Sequence, residues 1–198
     1  MSQMNVLHPK NIARCTAASW VTGYVKVSCG KHDLAKYEGE QRLQIKRVIL
    51  HERYNRTLLA NDIALLELKK DIVFNKDVSP ICLPTADVKT GEICMTTGWG
   101  LTKGTGPANV LNQVALPVID QATCRQKDWN GNLISNNNGD SGGPYVCRTD
   151  GSWRLSGVIS WGYGCALPKK PGVYTRISKY VRWIEHKTGG TLANVIII

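Results

Sequence analysis

The sequence predicts an all-β barrel or sandwich that carries one helix near its C-terminal end. Short apolar segments recur between turns rich in glycine, proline and asparagine, and many short strands at this spacing are typical of those architectures. Residues 149–151, Thr-Asp-Gly, join two such segments as a hairpin turn. The spacing becomes helical at Ile177, Tyr180, Val181 and Ile184, which predicts a helix packed on the β structure.

Each predicted strand is an apolar run or an alternation of polar and apolar residues. Residues 42–45 alternate, and residues 48–50 continue as a short apolar run. Residues 63–68 are apolar for most of their length, which predicts a strand buried on both faces. After Gly91 the predicted strands are residues 93–97, 114–118, 144–147 and 153–159.

Beyond the predicted helix the chain ends in an apolar tail. Gly189 and Gly190 end the helix, because glycine often follows a last helical turn. The tail at residues 195–198 is too short to span a bilayer. It is either prone to aggregation or an artefact of translation, and the sequence assigns it no function.

The composition of the 198 residues is that of a globular protein, with 42% hydrophobic and 20% charged residues. No run approaches the roughly 18 apolar residues that a membrane-spanning helix needs. The net charge is +10, which most often reflects a solvated basic surface. Since no zinc-knuckle spacing or aromatic–basic repeat accompanies the charge, we expect neither a nucleic-acid partner nor a membrane span.

The seven cysteines are dispersed and include no CxxC pair, which argues against a structural zinc site. Dispersed cysteines in a strand-rich chain favour disulfides formed in an oxidising compartment, and the sequon at residues 55–57 is compatible with secretion. However, the N-terminal residues show no signal-peptide pattern. Two alternatives follow: a cytosolic chain with reduced cysteines, or a fragment of a longer secreted precursor, which the odd cysteine count favours.

Residues that carry chemistry concentrate around Ser141. Residues 139–144 read Gly-Asp-Ser-Gly-Gly-Pro, which places a serine in a turn flanked by glycines. Small neighbours let a substrate carbonyl approach closely, and successive backbone N–H groups can converge there on an oxyanion. Asp62 supplies a carboxylate at the start of the apolar strand at residues 63–68. A serine and a carboxylate are two of the groups that acyl transfer uses.

Three other segments accompany this one in a characteristic order. Residues 96–100 read Thr-Thr-Gly-Trp-Gly, residues 160–165 read Ser-Trp-Gly-Tyr-Gly-Cys, and residues 171–175 read Pro-Gly-Val-Tyr-Thr. Together with residues 139–144 and Asp62, they resemble the chymotrypsin/trypsin-like serine proteases over about residues 7–187.

The resemblance implies two packed antiparallel β-barrels with the active site between them, the first barrel incomplete at its N-terminus, and a C-terminal helix. It implies one peptidase domain of residues 1–190. In this domain the partial first barrel covers about residues 1–80, the second barrel about 81–176 and the helix 177–188. Residues 191–198 are the apolar tail.

It also implies proteolysis by acyl transfer to Ser141, in which a histidine oriented by an aspartate accepts the serine proton. Asp62 matches that aspartate, and the N–H groups of Gly139 and Ser141 match the oxyanion hole. The family's histidine lies in Thr-Ala-Ala-His-Cys, where residues 16–20 here read Thr-Ala-Ala-Ser-Trp. Ser19 therefore stands at the position of the base. A serine hydroxyl does not accept this proton near neutral pH, so we expect a loss of several orders of magnitude in rate.

Other groups do not replace what is lost. The histidines are expected at the surface and not as a replacement base; they are His8, His32, His51 and His186. Family members pair a buried new N-terminus with the aspartate before the nucleophile. Asp140 is present, but nothing upstream of residues 6–9 supplies the partner, so the pocket is expected to resemble that of an unactivated zymogen. The first barrel is expected to have unpaired strand edges and a poorly closed core.

Substrate recognition follows from the same resemblance. Ser160, Trp161 and Gly162 match the strand that binds the substrate backbone and lines the specificity pocket. Gly172 matches the opposite wall, and Ser135 matches the pocket base, where a trypsin-like enzyme has an aspartate. Because the segment before the nucleophile is also shortened, nothing supports cleavage after lysine or arginine, and an apolar preference is left open.

The resemblance pairs Cys94 with Cys147 in a disulfide and implies that Cys82 tethers an upstream propeptide. The pairing of the other cysteines stays open; they are Cys15, Cys29, Cys124 and Cys165. The last two can pair with each other only if their Cα atoms lie within about 7 Å.

Three functions stay open from the sequence. The chain is a serine endopeptidase by ancestry that is active only in a more complete form, an inactive homologue that binds peptides or proteins through the retained groove, or a truncated product without a role. By resemblance we expect a secreted protein with a polypeptide partner and no cofactor. Asp33, Glu38 and Glu40 form no recognisable calcium site, so we expect no metal.

Overall fold

The computed structural model describes residues 2–8, 11–18, 26–100, 104, 106–129, 142–162 and 167–198. Their strands form two antiparallel sheets, a closed barrel of six strands and a sheet of five. The predicted all-β class with two β units and a C-terminal helix is confirmed. Within these residues no helix is both long and apolar enough to cross a membrane.

The strands and helices of these residues are numbered in chain order. The strands are β1 (Ser2–His8), β2 (Asn11–Ala18), β3 (Lys26–Cys29), β4 (Gln41–Leu50), β5 (Ala64–Leu68), β6 (Ile93–Gly98), β7 (Asn112–Pro117), β8 (Pro144–Thr149), β9 (Ser152–Trp161), β10 (Val173–Arg176) and β11 (Val195–Ile197). The helices are α1 (Gln121–Cys124) and α2 (Val181–Thr188), and a 3₁₀ turn, Ile177–Lys179, precedes α2.

The first barrel is closed by the C-terminal tail. Its strand order is β1-β11-β5-β4-β3-β2, so β11 pairs with β1 on one side and with β5 on the other. The expectation of unpaired edges in this barrel is therefore wrong. Residues 195–198, to which the sequence assigned no function, supply the strand that joins those edges. The physical reason is that β-branched residues suit a strand, and an open edge pairs with such a run wherever it lies in the chain.

Neighbouring residues of β5 and β11 face two different apolar cores. Leu66 and Ile196 lie in the core formed by the strands of the first barrel. Leu65 and Ile197 lie in a second core, which includes Ile184 of α2. Because successive side chains of a strand point to opposite faces, β5 is buried on both sides, as its apolar run predicted.

The second sheet has the order β10-β9-β8-β6-β7. The predicted hairpin joins β8 to β9, and its turn residues Asp150 and Gly151 are both left-handed, with φ values of 52° and 77°. The predicted disulfide between Cys94 and Cys147 is confirmed, with 4.4 Å between the two Cα atoms. It joins β6 to β8 in the middle of this sheet.

The predicted helix at residues 177–188 consists of the 3₁₀ turn followed by α2. It ends at Thr188, because Gly189 adopts a left-handed conformation with φ 59° and its N–H donates to the Glu185 carbonyl. Ile177 and Ile184 are buried, so the helical spacing of apolar residues did indicate the packed face.

Candidate active site

Asp62 lies in the turn before β5, between the two β units. Its carboxylate accepts a hydrogen bond from the Ser160 hydroxyl of β9 at 2.6 Å. Its backbone carbonyl accepts one from the Thr175 hydroxyl of β10 at 2.5 Å. Ser160 and Thr175 are buried and Asp62 is half-buried. Two strands of the second sheet therefore hold Asp62, one through its carboxylate and one through its backbone carbonyl.

The neighbours of Asp62 shape its turn. Asn61 has φ 54°, a left-handed conformation that asparagine adopts more readily than most residues, and its carbonyl accepts the Ile63 N–H at 2.9 Å. The Tyr180 hydroxyl donates to Asn61 Oδ1 at 3.1 Å. Burial and, to a smaller extent, the negative charge of Asp62 raise the pKa of Tyr180, which keeps this hydroxyl a donor.

Thr175 and Tyr180 position the Asp62 turn, a role that the sequence motifs do not indicate for either residue. Thr175 is the last residue of the motif at residues 171–175, so its place in that motif is a signal that could have found it. The helical spacing predicts for Tyr180 only a place on the packed helix face. No local pattern indicates its contact with Asn61, which is 119 residues away in the chain.

Gly142 and Gly143 hold the chain that follows position 141 against β9. The Gly142 N–H donates to the Ile159 carbonyl at 2.8 Å, and the Ile159 N–H donates to the Gly143 carbonyl at 2.8 Å. Gly142 has φ 89°, and a Cβ on Gly143 would lie 2.8 Å from Ile159 Cδ1. These two glycines are therefore required by backbone conformation and by close packing. They pair with the residue that precedes Ser160.

The predicted substrate-binding residues Ser160 and Trp161 end β9, where Trp161 pairs with Val173 of β10. Gly162 follows and is buried. A Cβ at Gly162 would lie 3.7 Å from the Cα of Gly172, so the structure brings these two predicted wall residues together. Ser160, in the same segment as Gly162, donates a hydrogen bond to Asp62, so this segment lies beside Asp62.

The other predicted site residues lie outside the described residues; they are Ser19, Ser135, Gly139 and Ser141. The described strands show only where β2 ends, one residue before position 19. β2 ends at Ala18, and in the barrel order it is separated from β5 by β1 and β11 on one side and by β3 and β4 on the other. Because all neighbours are antiparallel, the end of β2 and the start of β5 lie at the same end of the barrel, on opposite sides.

No hydrogen bond joins Asp62 to the histidines whose side chains are described, which are His32, His51 and His186. His32 and His186 are exposed, as expected. His51 is half-buried against the C-terminal helix, with ring centroids 5.4 Å from Tyr180 and 4.9 Å from Trp183. Its Nδ1 accepts the Arg53 N–H at 3.2 Å.

The carboxylates of residues 31–40 bind internal donors. Glu40 is 6% exposed, with its Oε1 at 2.9 Å from Arg42 Nη2 and at 3.5 Å from Lys31 Nζ. Burial raises the pKa of Glu40, but hydrogen bonds from the Glu38 N–H and Arg42, with the charge of Lys31, outweigh burial and lower this pKa to about 2. Among the described residues no group of three or more His, Cys, Asp or Glu side chains is arranged to hold a metal ion.

Two of the cysteines left open by the sequence are neighbours in the first barrel. Cys29 is disulfide-bonded, and Cys15 stands opposite it in the register of β2 and β3. The Cys82 carbonyl accepts the Leu155 N–H at 3.0 Å, which places Cys82 beside β9. Cys165 lies outside the described residues, so its pairing with Cys124 is left open, as it is from the sequence.

Similarity to known proteins is extensive. The family model described as Trypsin matches residues 7–184. Trypsin-1 of Astacus astacus is 39% identical over 178 residues, which cover 81% of this chain and 74% of that protein. Serine protease 1 of Homo sapiens is 39% identical over 178 residues, covering 82% and 70%. Trypsin of Sus scrofa is 35% identical over 185 residues, covering 86% and 78%.

Proposed function

Because this chain belongs to the trypsin family of serine endopeptidases, we propose that it is a member in which hydrolysis is absent or severely impaired, while the groove for a polypeptide is retained. One observation carries the proposal. Asp62 keeps its 2.6 Å hydrogen bond to Ser160, whereas Ser19 stands where the family has its histidine. The carboxylate that would orient a base is available, but the sequence supplies no base for it to orient.

The expected defect lies in one proton transfer. In acyl transfer the Ser141 hydroxyl attacks the substrate carbonyl as its proton passes to a base, and the N–H groups of Gly139 and Ser141 stabilise the oxyanion. Without the base, the hydroxyl attacks as a poor nucleophile and only binding and oxyanion stabilisation contribute. The residual rate is then several orders of magnitude below that of a complete triad.

Labelling with a fluorophosphonate tests this proposal directly, because the reagent reacts with an activated serine. The expected result is that the chain labels no more than its Ser141→Ala variant, while a trypsin treated in parallel labels fully. Cooperative thermal unfolding of both variants shows that the samples are folded. Labelling that maps to Ser141 and is lost in Ser141→Ala would overturn the proposed deficiency.

A second candidate function is peptide binding without turnover. It is supported by the two predicted wall residues, Gly162 and Gly172, which lie beside each other next to the half-buried Trp161. Ser135 offers no carboxylate for a basic side chain, so no lysine or arginine preference is expected.

Fluorescein-labelled casein, an extended polypeptide, is the probe for this candidate. Its anisotropy is expected to rise with the chain and to rise less with Gly162→Val, whose added side chain would contact Gly172 at the predicted wall. Ser152→Ala, at the opposite end of β9, is the control and should bind like the parent chain. Equal binding by Gly162→Val and the parent chain would exclude this groove.

Family membership also supports a cellular location for the protein and one additional partner. A secreted protein is supported by the disulfide between Cys94 and Cys147, since such bonds persist in oxidising compartments. A propeptide held through Cys82 is the additional partner that the resemblance supports. Non-reducing peptide mapping of the secreted protein tests both proposals.

A further inference from the structure

Strand β11 is paired along both of its edges. Residues 195–197 are in register with Glu67, Leu66 and Leu65 of β5, and on the other side Ile196 and Ile197 oppose Val6 and Asn5 of β1. The ladder with β5 continues past both ends of the strand. The Ala64 N–H donates to the Ile198 carbonyl at 2.8 Å, and the Leu68 N–H donates to the Asn194 carbonyl at 2.8 Å.

Both faces of β11 are buried as well. Ile196 is fully buried in the core of the first barrel, with Val27 and Leu66. Val195 and Ile197, at 3% and 0% exposure, lie in the second core. One short strand therefore contributes to both cores, through side chains that alternate between them.

The segment is joined to the rest of the fold by a short glycine connection. Gly189 and Gly190 follow α2 with φ 59° and 77°, and residues 191–198 contain no charged side chain. Leu192, which is 5% exposed, lies in the second core with Val195 and Ile197. A turn at residues 193–194 separates it from the extended strand that follows.

We propose that the groove between β1 and β5 is a strand-binding site, and that residues 192–198 are its built-in ligand. The class of ligand is an extended, uncharged peptide with a branched aliphatic residue facing the barrel core and β-branched residues on either side of it. Main-chain hydrogen bonds supply affinity, and the alternating positions supply selectivity, as in strand addition to a sheet edge. The site is independent of the proposed catalytic defect.

Occupancy of this site also supports the candidate active site. Ala64, two residues after Asp62, pairs with Ile198, so the segment holds the chain that follows the Asp62 turn. Tyr180 holds Asn61, the residue before Asp62. The β1/β5 groove therefore couples the presence of the segment to the placement of Asp62.

A nicked full-length chain tests the proposal. A specific protease site inserted between Gly189 and Gly190 allows the segment to be cut from the folded protein. The expected result is that the fragment stays with the protein on size exclusion and is replaced by an isotope-labelled synthetic peptide of residues 190–198. The same peptide carrying Ile196→Asp should not replace it. Release of the fragment from a protein that keeps its cooperative unfolding transition would overturn the proposal, and so would equal exchange of both peptides.

A second measurement uses the uncut chain. Ile196→Asp is expected to increase hydrogen exchange at the amides of Ala64 and Leu68, which donate to the segment. Ile93→Asp introduces the same side chain at a position of β6 that is 60% exposed, and should leave these amides protected. Equal protection of Ala64 and Leu68 in both variants would contradict a strand-binding site between β1 and β5.

Discussion

At the scale of single residues, the placement of Asp62 depends on two hydroxyl groups from the other β unit. Ser160 donates to its carboxylate and Thr175 to its backbone carbonyl. Hydrogen bonds to a charged group are worth more than neutral ones, and the loss of a donor leaves a partly buried carboxylate poorly satisfied. The contact between Asp62 and Ser160 is therefore expected to contribute to folding as well as to the geometry of the site.

Replacing Ser160 by alanine tests this contribution. We expect Ser160→Ala to lower the free energy of unfolding by about 2 kcal/mol, because the Asp62 carboxylate loses a charge-assisted hydrogen bond. Urea unfolding measures the change. Ser152→Ala, an exposed position on the same strand, is expected to change stability little. Equal effects of the two substitutions would show that the Asp62 contact contributes nothing.

Glu40 predicts a pH dependence of stability. Its folded-state pKa of about 2 lies below the ordinary value of 4.5, so the contribution of Glu40 is present above pH 4.5 and is lost as the pH falls toward 2. Glu40→Gln should therefore be less stable at neutral pH and should lose less stability than the parent chain over this window. Thermal unfolding at a series of pH values measures both effects. Glu185→Gln, an exposed change on α2, serves as the control; parallel pH profiles for Glu40→Gln and the parent chain would refute the prediction.

At the scale of secondary structure, local chemistry explains the hairpin between β8 and β9. Asp150 and Gly151 are consecutive left-handed residues, which a two-residue turn between twisted strands requires. Asp-Gly is among the dipeptides that adopt this conformation at low cost. The turn could thus be predicted from three residues, without knowledge of the remaining fold.

Two glycines give a matched test of that turn. A Cβ added at Gly151 or at Gly98 would meet no atom within 4 Å, but only Gly151 has a left-handed φ, 77°. Gly151→Ala is therefore expected to lose about 1 kcal/mol of stability through backbone strain alone. Gly98→Ala should be close to neutral in the same denaturant titration. A neutral Gly151→Ala would mean that the turn relaxes to another conformation.

At the scale of the whole molecule, the two β units are joined by more than the candidate site. The His32 carbonyl accepts the Leu111 N–H at 2.9 Å and the indole N–H of Trp99 at 2.9 Å, so the loop of the first barrel binds the second sheet. The core that contains Ile63 and Ile197 is a further contact between the two units. The two units beside the expected polypeptide groove are thus joined by hydrogen bonds and by a shared apolar core.

The departures from the family motif lead to a prediction about position 19. Because the segment before Ser141 is also shortened, restoring the imidazole alone is not expected to activate Ser141. Ser19→His alone should leave fluorophosphonate labelling at the level of the Ser141→Ala control. Labelling of Ser19→His that depends on Ser141 would show instead that the missing imidazole is the whole defect.

The sequence by itself determined the features that depend on near neighbours. The doubly buried strand at residues 63–68, the Asp-Gly hairpin and the helix after Arg176 follow from side-chain periodicity and turn chemistry over a few residues. The disulfide between Cys94 and Cys147 came from motifs carried by resemblance.

Only the tertiary structure decided the pairings between distant segments. An apolar run such as residues 195–198 has the same local pattern whether it is a loose end or a central strand, and its state depends on open edges at β1 and β5. The hydrogen bond between Ser160 and Asp62 likewise joins residues 98 apart. Such contacts form because packing brings together hydrogen-bonding groups and strand edges that are far apart in the chain. The closure of the barrel and the placement of Asp62 could therefore be seen only in the folded structure.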